Sequence, residues 1–316
     1  MRKKLIIHVD KNHPILIEGL KNLGYKNDEY YNSDLNTILD IINNYHGLVI
    51  RSRFKIDKTF IDKAKNLDFI ARVGSGTENI DIRYANSKNI SIINAPEGNK
   101  DAVGEHALGM LLSLTKNLYK ANEAIKKGIW EREKFRGHEI SGKTIGIIGY
   151  GNMGKSFANK LKGFNCNVIC YDIKKNIGDI YSKQVTLEKL RNESEIISLH
   201  VPYTLYTKNM INKDFINKMK NPFWLINTSR GGVINTNDVI ESLKSNKILG
   251  AGLDVLEYES LSFESIFQNN NPSLNYLLNA ENVILSPHIA GWTNESHKKL
   301  AKVILNKIKN HLWKIF

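Results

Sequence analysis

The chain has 316 residues, 41% hydrophobic and 24% charged, with two cysteines and six prolines; it is long enough for roughly two domains of about 150 residues and too ordinary in composition to be disordered or fibrous. The formal charge of +13 is carried by scattered lysines beside Asn and Ile, without the clustered basic element and interleaved aromatics of a nucleic-acid binder, so a solvated surface and no nucleic-acid partner are expected. Two cysteines cannot staple a secreted scaffold. Apolar runs such as LGMLLSL at 108–114 are too short to span a bilayer, and Asp10 interrupts the only leader-like start, so the expectation is a cytoplasmic protein with no membrane partner.

In chain order, the short Ile- and Val-rich runs at 4–10, 47–51, 68–73 and 90–94 predict strands. Helix-like segments at 14–23, 34–44, 57–66 and 79–88 separate them, an alternation that implies a parallel sheet covered on both faces. Residues 101–127 read as one long helix, with Ala107, Leu108, Leu111, Leu112, Leu114 and Leu118 at helical spacing. A cleaner alternation follows, with strands expected at 144–149, 166–172, 195–201, 223–229, 248–255 and 282–287. Helices are expected at 153–163, 186–192, 213–220 and 236–246. The stretch 260–280 reads as an irregular surface insertion, and 293–316 as a closing amphipathic helix. The fold class expected is α/β, with two doubly wound parallel-sheet (Rossmann-like) domains and a cleft between them.

Gly149-Tyr150-Gly151-Asn152-Met153-Gly154 is a G-x-G-x-x-G placed between an apolar strand and a helix, the context in which that pattern binds a dinucleotide. The first glycine makes the turn, the second lets backbone approach a pyrophosphate, and the third packs helix on strand. Asp172 lies 18 residues beyond Gly154, at the end of the next strand. A carboxylate there accepts both ribose hydroxyls and repels a 2′-phosphate, favouring NAD; Lys174 and Lys175 soften that preference. Cys166 and Cys170 share one face of a strand without companion ligands, so no metal is expected. His8, His13, His46, His106, His138, His297 and His311 stand isolated and read as surface or packing residues.

Three polar residues follow strands downstream: Arg230 in INTSRGG, Glu259 after GAGLDVLEYE, and His288 in SPHIAGWT. With the glycine loop, these blocks resemble, in order and over essentially the whole chain, the D-isomer-specific 2-hydroxy-acid dehydrogenases. LVIRSRFKI (48–56), ARVGSGTENIDI (71–82), INAPEGN (93–99) and KKGIWEREKFRGHEISGKTIGIIG (126–149) are similar to the D-3-phosphoglycerate dehydrogenase subgroup. Three features depart from the pattern. Ser260 stands where the family usually has Pro, the Glu259–His288 loop is long, and the regulatory domains that follow the terminal helix in some relatives are expected to be absent.

The chemistry of the three residues can be argued on its own. A histidine suits proton transfer near neutral pH, a neighbouring carboxylate fixes its tautomer, and a guanidinium clamps a carboxylate in bidentate fashion. The resemblance implies His288 as acid/base, Glu259 as its partner and Arg230 as the clamp. It also implies that Asp254 lies at the nicotinamide end, that Gly291 contacts the cofactor, and that His200-Val201-Pro202 lies beside the adenosine ribose. Thr228 and Ser229 lie beside the nicotinamide on this view, although residue type alone reads them equally as turn formers.

The small-molecule substrate implied is a phosphorylated 2-hydroxy acid, D-3-phosphoglycerate, oxidised to 3-phosphohydroxypyruvate as in serine biosynthesis. Arg51, Arg72 and Arg132 would meet the phosphate, with Arg53 and Lys55 less well placed. Ser75 and Gly76 would offer backbone N–H groups to the carboxylate. The layout implied is a substrate domain of 1–98 plus 290–316 and an NAD domain of 99–289, assembled as a homodimer through 101–140. A reductase of hydroxypyruvate, glyoxylate or another 2-keto acid would use the same three catalytic residues, and an NAD-sensing binding protein would use the same fold.

Overall fold

The structure is a computed structural model and describes residues 4–259 and 271–312. It divides into two compact units, Met1–Asn99 with Trp292–Phe316, and Lys100–Gly291. The first contains β1 (Leu5–His8), α1 (Ile15–Asn22), β2 (Lys26–Glu29), α2 (Leu35–Ile41), β3 (Gly47–Ile50), α3 (Lys58–Lys63), β4 (Phe69–Arg72), α4 (Ile82–Ser87) and β5 (Ser91–Asn94). Its five strands are parallel, in the order β2-β1-β3-β4-β5, so the strand order reverses beside β1 and β3. Alternation along each strand supplies two cores. Ile7, Leu48, Ile50 and Ile70 face one, while Ile6, Val49, Phe69 and Ala71 face the other with Leu300, Ala301, Ile304 and Ile308 of the C-terminal helix Asn294–Leu312.

The second unit contains α5 (Lys100–Thr115), α6 (Leu118–Lys126), β6 (Thr144–Ile148), α7 (Asn152–Lys160), β7 (Asn167–Tyr171), β8 (Lys183–Gln184), α8 (Leu187–Glu193), β9 (Ile196–Leu199), α9 (Lys213–Asn217), β10 (Phe223–Asn227), α10 (Thr236–Lys244), β11 (Ile248–Leu253), α11 (Pro272–Asn279) and β12 (Val283–Leu285). The order β12-β11-β10-β9-β6-β7-β8, all parallel, places the reversal between β6 and β9. Both units are thus Rossmann-like α/β folds.

Several elements differ from the sequence expectation. β2 is an added strand of KNDE at a sheet edge, and β8 is a two-residue edge strand. The expected long helix is broken at Asn117, whose φ of 53° ends α5 in a left-handed residue, a common helix stop for Asn. Residues 272–279 of the expected irregular insertion form α11. Its start is fixed by Pro272 in the first turn and by Asn271 accepting from the N–H groups of Ser273 and Leu274 at 2.9 and 3.3 Å. Residues 260–270, with Ser260, lie outside the described residues. Among the described residues, no helix is long and apolar enough to cross a membrane.

Candidate active site

The glycine loop leaves β6 at the strand-order reversal, and its three glycines have three separate causes. Gly149 has φ of +90°, and a Cβ there would stand 2.5 Å from the His200 carbonyl oxygen. At Gly154 a Cβ would strike the Gly149 carbonyl, so helix and strand need its absence. At Gly151 a Cβ would meet nothing within 4 Å, so that glycine leaves room above exposed backbone. No side chain caps α7 behind Gly151, and its first N–H groups, at Asn152 and Met153, form the positive end a phosphate favours. Asp172 lies beside this turn. Its carboxylate accepts from Tyr150 N at 2.8 Å and Lys174 N at 2.9 Å.

The β9 end carries His200, whose Nε2 pairs with Ser198 Oγ at 2.8 Å while its Nδ1 is buried without a partner. Burial pushes this imidazole down to about 3, so it is neutral at physiological pH. Val201 and Pro202 continue into an exposed turn in which Thr207 Oγ1 donates to the Pro202 carbonyl at 2.6 Å. Beyond β10, Asn227 is fully buried and folds the next three residues back. Its Oδ1 accepts from Ser229 N and Oγ at 3.1 and 2.8 Å, and its Nδ2 donates to the Arg230 carbonyl at 3.1 Å. Asn227 was not singled out in the sequence, although it heads the NTSR block. Thr228 Oγ1 is a second buried polar atom without a protein partner. Orphaned polar atoms on Thr228 and His200, beside a glycine turn with open space, fit a dinucleotide at this edge.

Arg230, Glu259 and His288 come from three different strand ends. Gly231 is buried, and a Cβ on it would overlap the Leu256 carbonyl, so the RGG turn lies directly on the LEYE turn. Of the two glutamates there, Glu257 holds Thr236 Oγ1 at 2.8 Å. Glu259 accepts from Leu256 N at 2.6 Å through Oε1 and pairs with His288 Nδ1 at 2.8 Å through Oε2. Arg230 donates from Nη1 to the Ser229 carbonyl at 2.6 Å. The Glu259–His288 pair is largely enclosed, with side chains 15% and 22% exposed. Because a carboxylate accepts, Nδ1 carries the proton in this pair.

His288 adopts φ of 55°, a left-handed conformation uncommon outside glycine. Its N–H is held by the Asp254 and Ser286 carbonyls at 2.8 and 3.0 Å. The Asp254 side chain, expected at the nicotinamide end, is 1% exposed. Its carboxylate accepts from Ser286 Oγ at 2.6 Å, Ile289 N at 2.8 Å and Ala290 N at 2.9 Å. It holds the His288 turn from below. Gly291 closes that turn and is the last residue of its unit. His106, expected to be isolated, is instead engaged. From α5 its Nε2 lies 2.9 Å from Ser286 Oγ and 3.5 Å from Asp254 Oδ1. Cys166 and Cys170 pack on one core, where burial pushes both thiols up.

Within the first unit, Arg51 and Arg72 sit at the C-terminal ends of β3 and β4. The Arg51 backbone N–H is held by Asp10 at 2.5 Å, and its guanidinium lies 4.1 Å over the Trp292 ring. Asn79 ties down the same turn by donating to the Arg51 and Phe54 carbonyls at 3.3 and 3.0 Å. Arg53 is structural here, its guanidinium engaged by the carbonyls of Val9, Tyr30, Tyr31 and Ser33. Ser75 Oγ donates to Asn99 at 2.6 Å, while Gly76 is half-buried. Arg132, in the second unit, is exposed just before a short turn at Glu133–Phe135.

Residues 108–290 match the D-isomer specific 2-hydroxyacid dehydrogenase family, NAD binding domain. The chain is 36% identical over 275 residues to a hydroxypyruvate reductase of Thermotoga maritima, covering 87% of each protein. It is 37% identical over 269 residues to a D-3-phosphoglycerate dehydrogenase of Archaeoglobus fulgidus, covering 84% of this chain and 49% of that one. The chain therefore spans about half the length of that relative. A D-lactate dehydrogenase of Aquifex aeolicus, solved with NAD and lactic acid, superimposes with a TM-score of 0.84 at 27% identity, over 98% of this chain and 96% of that one.

Proposed function

Since this chain belongs to the D-isomer specific 2-hydroxyacid dehydrogenases, we propose that it oxidises a D-2-hydroxy acid with NAD, and that the acid is D-3-phosphoglycerate. The observation that carries the reaction is the His288 Nδ1–Glu259 Oε2 pair at 2.8 Å, which supports a ring held in one tautomer by a carboxylate. His288 Nε2 takes the proton of the C2 hydroxyl, and the Glu259 carboxylate stabilises the imidazolium that forms. Arg230 receives the substrate carboxylate and stabilises charge on the C2 oxygen. Bound NAD supplies the acceptor for the C2 hydrogen. The residues that would hold it are Gly149, Gly151, Asn152, Met153 and Gly154 at the pyrophosphate and Asp172 at the ribose. His200, Val201, Pro202, Thr228 and Ser229 would line the remainder. The Asp172 carboxylate favours free ribose hydroxyls over a 2′-phosphate, hence NAD over NADP.

The phosphate assignment rests on Arg51 and Arg72 at strand ends of the first unit and on Arg132 in the segment after α6, with guanidinium suited to a dianion. It is also supported by the similarity to the Archaeoglobus enzyme. A second reading, reduction of hydroxypyruvate or a related 2-keto acid, is favoured by the likeness to the Thermotoga reductase over most of both chains. Purified protein assayed for NADH formation with D-3-phosphoglycerate, D-glycerate, glycolate and D-lactate, and for NADH consumption with the matching keto acids, decides between them. Preference for the phosphorylated pair supports the first reading. Equal or better turnover of the unphosphorylated acids overturns it.

A further inference from the structure

We propose that His106 is a positioning residue for the reaction, acting through Ser286 and Asp254 on the turn that presents His288. This inference rests on the functional reading above but concerns a histidine to which that reading gives no part. Ser286 Oγ has one hydrogen and donates it to Asp254 Oδ1 at 2.6 Å. The contact from His106 Nε2 to the same oxygen at 2.9 Å must therefore run the other way, with Nε2–H as donor and the hydroxyl as acceptor. The tautomer of His106 follows from its neighbours.

The chain of bonds ends at the catalytic base. Asp254 is 1% exposed, and its two oxygens accept from Ser286 Oγ, Ile289 N and Ala290 N. Those two amides flank His288 on its C-terminal side, while Ser286 lies on its N-terminal side and accepts His288 N at 3.0 Å through its carbonyl. The Asp254 carboxylate and Ser286 thus grip both sides of a residue held at φ of 55°. A left-handed histidine persists only where its surroundings over-determine it. His106 completes the surroundings by fixing the direction of the Ser286 hydroxyl and by standing 3.5 Å from Asp254 Oδ1. Without that donor the hydroxyl is free to rotate, Asp254 loses one of its three donors, and His288 loses its fixed distance to substrate.

The test compares His106→Leu, His106→Gln and Ser286→Ala with the wild-type protein in steady-state kinetics, NADH binding and amide hydrogen exchange across 286–291. His106→Leu should lower kcat by roughly tenfold to a hundredfold, the cost of a misplaced reacting group, with KM and NADH affinity little changed. Amide exchange at Ile289 and Ala290 should accelerate in the same variant. His106→Gln, whose amide can donate to Ser286, should recover most of both readouts. If His106→Leu does not fold, Ser286→Ala carries the test with the same expectations. Wild-type kcat in His106→Leu, unchanged exchange at 289–290, or a Gln variant no better than Leu would overturn the proposal. A wild-type protein that turns over no 2-hydroxy acid would instead overturn the functional reading, and the exchange measurement would still decide whether His106 holds the turn.

Discussion

At the residue scale, the proposed reaction depends on one imidazole whose two nitrogens are made different. Glu259 at 2.8 Å fixes Nδ1, so replacing His288 with Asn should remove the proton acceptor and lower kcat by roughly two to four orders of magnitude. NADH should still bind, because the residues assigned to the dinucleotide are untouched; fluorescence titration of the variant checks this. The Glu259–His288 pair was legible in the sequence because each member follows a strand within a recognisable block. His106 was not, since its partner Ser286 lies 180 positions away and only the fold brings the two together, whereas Asn227 had a local signal in its turn to Ser229 two residues on. A second prediction concerns His200, a group that the structure keeps neutral. Burial lowers its pKa from the ordinary 6.5 to about 3, so between these values the unfolded chain binds a proton that the folded one refuses. The stability associated with neutral His200 is complete above pH 6.5 and is lost progressively as pH falls toward 3. Thermal unfolding followed from pH 7 to pH 4 should therefore show a shallower decline in His200→Asn than in wild type. Parallel curves would contradict that account.

At the scale of elements, the site is an edge at which short turns stack on one another. Gly231 illustrates the constraint, because a Cβ there would overlap the Leu256 carbonyl. Gly231→Ala should cost about 1–3 kcal/mol as the overpacked turn shifts, and the LEYE turn should carry Glu259 away from His288. Loss of kcat with NADH binding retained, alongside a lowered unfolding midpoint, is the expected pattern; unaltered kcat would show that the two turns move independently. Strands with continuous runs of Ile and Val were readable because a sheet buried on both faces selects them. The edge strand β2 was not, because KNDE has no apolar period and its pairing to β1 is a long-range fact. The break between α5 and α6 had a signal in Asn117, and α11 had one in Asn271-Pro272. In both places local capping chemistry outweighs the apolar spacing or the polar composition.

At the scale of the whole molecule, the exposed side chains point to a second copy. Leu118, Ile125 and Trp130 are 56%, 51% and 79% exposed on α6 and the arm beyond it, and apolar surface of this kind marks association faces. The expected assembly is a homodimer, and sedimentation at micromolar concentration should give twice the chain mass, with Trp130→Glu shifting it toward the monomer. A monomeric wild type would contradict this. Replacement of Arg51 with Ala should raise KM for D-3-phosphoglycerate more than for D-glycerate, because only the former presents a dianion to the guanidinium; equal losses would remove phosphate reading from Arg51. The central claim, that C2 of a D-2-hydroxy acid is oxidised with His288 taking the hydroxyl proton, is tested most directly by isotope transfer. D-3-phosphoglycerate deuterated at C2 is incubated with NAD and either the wild-type protein or His288→Asn, and the reduced nucleotide is analysed by mass spectrometry. The account predicts deuterated NADH from the wild type, and a rate of labelling lower by roughly two to four orders of magnitude in the variant. Unlabelled nucleotide from the wild type, or labelling at the wild-type rate by the variant, would contradict it.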